Sequence, residues 1–211
     1  ISNGNNGGLI ELVSNSGNVL VEGVIQTNGS VGRGGTINIA GFQTTSLVNA
    51  TINAIGYNAG GVIKIGNDAQ SGTLPFSVLT SLNAGTSINA FSINGPGGYI
   101  ETSGHTLHLL AAINAGRGGI WLLDPSDIVI SSDPQSDISS TVNYSNPFTL
   151  TSDTRLYPTS NSSVSVVDVS ALTAALNSGF HWFEAGIDLV TETELFAAGV
   201  TTRRKPLPTD E

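Results

Sequence analysis

Four aspartates cluster in the second half of the chain, at Asp124, Asp127, Asp133 and Asp137. Carboxylates grouped in this way could act as general acid and base on a polysaccharide, or bind calcium through their oxygens. Asp124 and Asp133 each precede a proline, however. Asp-Pro pairs are typical of turns, in which the Asp carboxylate accepts hydrogen bonds from backbone amides. A structural role is therefore favoured. Asp124, Asp127 and Asp133 are kept as candidate calcium ligands, and no catalytic residue is assigned.

Two histidines, His105 and His108, lie three residues apart in a segment that reads as a strand. Side chains at that spacing on a strand point to opposite faces, which makes a joint metal site unfavourable. His181 lies far along the chain, so no metal or cofactor site is predicted from the histidines. The net charge of −9 and the lack of a basic stripe exclude nucleic acid as the expected partner.

The dominant pattern is a repeated phrase in which a Gly-Gly pair is followed by apolar residues at the second and fourth positions. The pairs begin at Gly7, Gly34, Gly60, Gly97 and Gly118. Apolar residues at every second position indicate a strand with one buried face. An Ile-Asn-Ala phrase recurs before three of the pairs, beginning at Ile52, Ile88 and Ile113. Each repeat therefore contains at least two strands.

The repeat assigns the residues of the core. The positions predicted to point inward are Ile37, Ile39, Ile63, Ile65, Ile100, Trp121 and Leu123. Trp121 could instead be an exposed platform for sugar rings, but it occupies the place after Gly119 that Ile63 occupies after Gly61. Burial is therefore the favoured interpretation. Thr102 is the one lapse in the apolar pattern.

Units of two or three short strands cannot bury their apolar faces alone, so a period of about twenty to thirty residues implies that the units stack. The predicted fold is all-β, a right-handed parallel β-helix. Neighbouring coils would pair about 4.8 Å apart, which would align equivalent side chains. Asn53, Asn89 and Asn114 are the candidates for such an amide ladder. The longer interval between Gly60 and Gly97 predicts an insertion near Leu74-Pro75-Phe76.

Four regions are expected along the chain. Residues 1–130 carry the β-helix repeats, and 131–163 form a Ser/Asp/Pro-rich loop or linker. Residues 164–200 are expected to be a less regular appendage with a strand at 164–167 and two short helices, one from Ser170 to Gly179 and one from Thr191, which could cap the solenoid. Residues 201–211 are expected to be a disordered tail.

Composition narrows the protein class further. Charged residues make up only 11% of the chain and hydrophobic residues 39%, so the repeats present a neutral surface of Asn, Ser, Thr and Gly. No apolar run of about 18 residues occurs, and membrane insertion of this segment is not expected. The lack of methionine predicts that the chain is part of a longer product, with any export signal upstream. The lack of cysteine fits an exported protein and a cytosolic one equally.

The stretches 97–105 (GGYIETSGH) and 118–130 (GGIWLLDPSDIVI) carry a more specific signal. They resemble the junction found in filamentous-haemagglutinin-like large exoproteins of Gram-negative bacteria, and the resemblance extends over roughly residues 7–179. It implies a right-handed β-helical shaft, secreted across the outer membrane by a partner barrel, at the cell surface or released, and acting in adhesion and biofilm formation. Glycans or host-cell-surface molecules would be the ligands.

Two other functions stay open on the same fold. A polysaccharide lyase or hydrolase would need carboxylates that converge on one face, which the central repeats do not offer. A spacer without a ligand would use the same polar surface for solubility alone. The non-enzymatic adhesive or structural segment is the leading hypothesis.

Overall fold

The computed structural model describes residues 6–68 and 72–124 in full, and beyond them only the backbone of short strands. These are residues 125, 127–131, 138–139, 143–144, 153–154, 157–158, 164–168 and 182–185. All elements in the described ranges are β-strands. In this part of the chain there is no helix that is both long enough and apolar enough to cross a membrane.

The first sheet contains one strand from each repeat. Its members are β1 (Leu9–Ser14), β3 (Thr36–Gly41), β5 (Val62–Ile65), β8 (Tyr99–Gly104), β11 (Ile120–Pro125) and β18 (Trp182–Ala185). They lie in chain order and every pair is parallel. The five strands β1, β3, β5, β8 and β11 each directly follow a Gly-Gly pair, so the strand predicted from each of these phrases is present. Each repeat therefore lies directly beside the one before it.

The second sheet contains the remaining strands of the repeats. They are β2 (Asn18–Gln26), β4 (Thr44–Asn53), β6 (Leu79–Leu82), β7 (Ser87–Asn89), β9 (Thr106–Leu109), β10 (Ala112–Asn114), β12 (Asp127–Ser131) and β17 (Val164–Asp168). All of their pairings are also parallel. The long β4 pairs with β6 through its first half and with β7 through its second half. The second sheet therefore has two halves along its strands. Together with the first sheet, these halves make three layers of strands, called faces below.

The division falls at a bend within the long strands. Asn49 in β4 adopts a positive φ of 52°, and the pairing of β2 with β4 shifts between Glu22 and Gly23, where φ is 89°. Positive φ is costly for most residues, whereas glycine adopts it freely and asparagine more readily than others. In the following two repeats the same bend is a break between separate strands. Each of the first four repeats thus contributes a strand or a strand segment to each of three faces.

The core consists of columns of equivalent side chains. In the first sheet Ile37, Ile63, Ile100 and Trp121 are aligned by the strand pairing, and a second column contains Ile39, Ile65, Thr102 and Leu123. All eight side chains are fully buried. The seven residues predicted to point inward are thus among the buried residues. Stacked isoleucines on a parallel sheet match the shape of their neighbours in the next layer, which favours this arrangement over a mixed core.

The irregular features lie within the third repeat and after the last one. The longer third repeat leaves the first sheet at Gly66 and returns beside it at Ser77, whose amide donates to the Gly66 carbonyl at 2.9 Å. This excursion contains the predicted insertion. Further along, the predicted strand at 164–167 is present as β17. The predicted helices from Ser170 and Thr191 and the tail at 201–211 lie outside the described residues.

The last strands depart from the simple order. β17 lies between β9 and β12, although β12 comes first in the chain. The chain between them forms two small antiparallel pairs: β13 (Ile138–Ser139) with β16 (Tyr157–Pro158), and β14 (Asn143–Tyr144) with β15 (Asp153–Thr154). Sequence patterns indicated neither these pairs nor β18, which adds a further parallel strand beside β11.

Candidate functional site

The lapse at Thr102 is explained by the tryptophan in the next repeat. The indole Nε1–H of Trp121 donates a hydrogen bond to Thr102 Oγ1 at 3.0 Å, and both residues are fully buried. A buried indole N–H without an acceptor would be costly, so the hydroxyl permits tryptophan in an otherwise aliphatic core. Trp121 is therefore not an exposed platform for sugars.

The central repeats, residues 34–116, contain three charged side chains, Lys64, Asp68 and Glu101, and these are held by one another and by neighbouring residues. Lys64 Nζ lies 2.6 Å from Asp68 Oδ1, and both side chains are largely buried. The carboxylate of Glu101 is fully buried and accepts hydrogen bonds from Tyr99 Oη at 3.1 Å and Ser103 Oγ at 2.9 Å. These interactions fix the carboxylates in structural roles. They do not present a pair of acids to a substrate.

The candidate calcium ligands do not form a described site. Asp124 and Pro125 both pair with β8, so the prediction of a turn at this Asp-Pro pair is wrong. Asp127 begins β12, where only the backbone is described, and Asp133 and Asp137 lie outside the described residues. Among the residues whose side chains are described, no three acidic or histidine side chains lie close enough to hold a metal ion.

The two neighbouring histidines have different surroundings. His105 is exposed and its ring packs against that of Phe76, with 4.3 Å between the ring centroids. His108 is buried, and its Nδ1 lies 3.4 Å from Ser81 Oγ. Burial lowers the pKa of His108, because the charged imidazolium loses hydration. The two rings therefore do not act as one site.

One of the two rungs of the predicted amide ladder is present, and it joins two of the three candidate asparagines. Asn89 Nδ2 donates to Asn53 Oδ1 at 2.9 Å. Asn114 follows in the same column of strands, but its Oδ1 accepts the amide of Gly116 at 3.0 Å. The side chain thus caps a tight turn in a short repeat. An unpredicted rung joins Asn83 Nδ2 to Asn49 Oδ1 at 3.2 Å, at the bend between the two faces.

The corner loops at the Gly-Gly pairs expose some of their side chains to solvent. They stack through backbone bonds, of which Tyr57 N to Gly29 O (3.2 Å) and Ile93 N to Gly56 O (3.0 Å) are examples. Each of the first three loops exposes one large apolar side chain, and these are Val31, Tyr57 and Ile93. Sequence reasoning assigned no role to these loops. A signal was available, since each has a bulky residue among glycine, serine and asparagine.

The described outer surface can therefore offer backbone carbonyls, amides, hydroxyls, isolated apolar groups and separate charges such as Arg33 and Arg117, and its described acidic and histidine side chains do not converge. Comparisons of the chain with models of known protein families, with curated proteins and with solved structures found no match. The function must be argued from the geometry of the chain itself.

Proposed function

We propose that this chain is a non-enzymatic segment of a secreted, filamentous-haemagglutinin-like bacterial exoprotein, in which it forms a right-handed parallel β-helical shaft. The shaft supports or mediates adhesion at the cell surface or after release. The observation that carries the proposal is the parallel pairing of equivalent strands from successive repeats in three faces. A right-handed course is the expected hand for parallel strands joined by crossovers.

The packing of the repeats supports a rigid, extended role. Each layer contacts its neighbours through backbone hydrogen bonds and aligned side chains, so stability is distributed along the stack. The charges of the central repeats are paired or buried, as in Lys64–Asp68 and Glu101. A surface of amides and hydroxyls can then form many weak hydrogen bonds to sugars. That chemistry fits glycans or host-cell-surface molecules as ligands. The resemblance to the exoproteins implies an outer-membrane barrel as the secretion partner of the parent protein.

Binding of the purified, labelled protein to an array of glycans and matrix proteins tests the proposal. We expect retention on a defined set of glycans. The variant Ile63→Asp, which places a charge in the core, is the control for nonspecific binding and should lose retention together with its fold. Parallel measurements with and without calcium test the candidate ligands Asp124, Asp127 and Asp133.

Three results would count against this function. Retention of nothing on the array would remove adhesion and leave the spacer shaft. An experimental structure with anything other than stacked parallel coils over residues 7–130 would remove the shaft as well. Loss of viscosity in a pectin or alginate solution, abolished by Asp124→Ala, would favour the polysaccharide-active enzyme instead.

A further inference from the structure

The stack of corner loops ends in a step. The loops occupy residues 27–35, 54–61 and 90–98 in three repeats, but only 115–119 in the next. In the second loop, the carbonyl of Gly56 accepts the amide of Ile93, and the carbonyl of Tyr57 accepts that of Asn94 at 2.9 Å. The short fourth loop has no residues to continue this pattern over the third. Among the described residues nothing stacks on the top of the third loop, and this surface is called the ledge below.

The ledge retains hydrogen-bonding capacity. Ser92 and Ile93 are the equivalents of Gly56 and Tyr57, because Gly56 and Ser92 form a parallel bridge. Within the described residues, no group donates to the carbonyls of Ser92 and Ile93. Ser92 Oγ meanwhile donates to Tyr57 O at 3.0 Å and accepts the amide of Gly95, which fixes the shape of the loop. Two ordered carbonyls are thus free to accept hydrogen bonds from a ligand or from water.

A cavity of about 480 Å³ lies on this ledge. Its walls are Ser92, Ile93, Asn94, Gly95, Pro96, Arg117 and Gly118. The volume falls in the range of sites for small molecules, which combine apolar contact with a few placed polar groups. Ile93 and Pro96 supply the apolar contact, and Ser92 and Asn94 supply the polar groups. The cavity is open to solvent along one side, as suits one unit of a chain-like ligand.

Arg117 gives the ledge a charge. Its carbonyl accepts the amide of Gly97 at 2.7 Å, so the backbone is held while the side chain is exposed. Among the described carboxylates none forms an ion pair with its guanidinium. A guanidinium binds carboxylates through two parallel hydrogen bonds. In a protein with a net charge of −9, a cation that lies beside a cavity and has no ion-pair partner among the described carboxylates selects for an acidic group.

We propose that this ledge binds a saccharide unit that carries a carboxylate, such as a uronic or sialic acid. The guanidinium of Arg117 binds the carboxylate, and the carbonyls of Ser92 and Ile93 accept hydrogen bonds from the sugar hydroxyls. The Ile93 side chain packs against the apolar face of the ring. The proposal rests on the adhesive function above and places its ligand contact at one step of the stack. Binding is reversible, and no covalent bond changes.

Calorimetric titration tests this site. The ligands are trigalacturonate and sialyllactose as the acidic probes, and lactose as the neutral one. Arg117→Gln should weaken the binding of both acidic probes by roughly tenfold or more, since hydrogen bonds to charged groups are worth about 1.5–3 kcal/mol. Ile93→Ser should weaken them as well. The matched controls are Arg33→Gln and Val31→Ser, which change the same kinds of exposed side chain two loops away.

Chemical shifts of the Ile93 and Arg117 amides, followed in the unmodified protein during titration, give a readout that is independent of the variants. Shifts at these amides, with loss of affinity in Arg117→Gln and Ile93→Ser alone, support the site. Glycan binding that neither variant alters would overturn the ledge while leaving adhesion in place. Equal binding of acidic and neutral probes would overturn the acidic class. Absence of binding of all three saccharides would overturn the ledge, whereas adhesion itself is decided by the array of glycans and matrix proteins.

Discussion

Two isoleucines in this chain allow the core assignment to be tested with one chemical change. Ile63 is 0% exposed and lies between Ile37 and Ile100 in the first column, whereas Ile93 is 63% exposed at a corner loop. Replacing either by alanine removes the same atoms. A difference in the free energy of unfolding therefore reports the surroundings of each site and not the side chain.

The expected sizes follow from burial. Ile63→Ala removes three buried carbons, worth roughly 2.4 kcal/mol at about 0.8 kcal/mol each. The cavity adds to this loss because neighbouring layers are held by backbone pairing and relax little, so the total should lie at about 3–5 kcal/mol. Ile93→Ala should cost less than about 1 kcal/mol, since most of its surface already contacts water. Ile63→Val should cost about 1 kcal/mol.

Urea unfolding followed by circular dichroism measures these differences, provided that the slope with denaturant is the same in all variants. Ile93→Ala should be the most stable of the three variants, Ile63→Val should be intermediate, and Ile63→Ala should be the least stable. Equal losses at Ile63 and Ile93, or a loss below about 1 kcal/mol for Ile63→Ala, would show that the column is not the main source of stability.

Three further predictions concern the backbone corners, the buried polar pair and the buried histidine. Gly34→Ala should destabilise the protein by about 1–3 kcal/mol or more, because a Cβ there would collide with the carbonyl of Ala54. Gly8→Ala is the control and should be nearly neutral in the same urea titration, since a Cβ at Gly8 would contact no other atom. Thr102→Val should cost about 1–3 kcal/mol through loss of the acceptor for Trp121, while Thr36→Val on the outer side of β3 should change stability little, and equal losses would contradict the pairing. Because burial lowers the pKa of His108, the folded protein binds fewer protons than the unfolded chain below about pH 6.5, so the free energy of unfolding should fall as the pH drops from 6.5 toward 5. His108→Gln should flatten that fall, and an unchanged pH profile would refute this origin.

The repeat pattern was sufficient to predict the strands and the core because both depend on local periodicity. Gly-Gly followed by alternating apolar residues places a corner before a strand, and parallel pairing of such strands follows from their equivalence. The burial of Ile37, Ile63 and Ile100 could be predicted from their distance to the preceding Gly-Gly pairs alone. Parallel pairing and burial are present in the structure as that pattern predicts.

Other features depend on contacts between residues far apart in sequence. Thr102 looks like an error in the repeat until Trp121 is placed beside it. The insertion of β17 between β9 and β12 reverses chain order, which no local pattern indicates. The turn predicted at Asp124-Pro125 failed because pairing with β8 extends the strand through both residues, against the local preference of the dipeptide.

The candidate site was the least predictable part. Asn114 is in the expected column, yet its amide serves a turn that exists only because its repeat is short. The same shortening produces the ledge at Ser92 and Ile93. Length differences between repeats, more than residue types, thus create the surface features, and their effect becomes visible only when the loops are stacked.

The equivalence of layers has a consequence for how such a chain can change through evolution. The strands β3 and β5 contact their neighbours on both sides through the same register and nearly the same side chains. If a whole repeat such as residues 35–60 were removed or duplicated, the repeats on either side could still pair, because their strands have the same register and similar side chains. The length of the molecule can therefore change in steps of about 4.8 Å, one repeat at a time, without redesign of the core. Recombination within the gene could adjust reach independently of any ligand site.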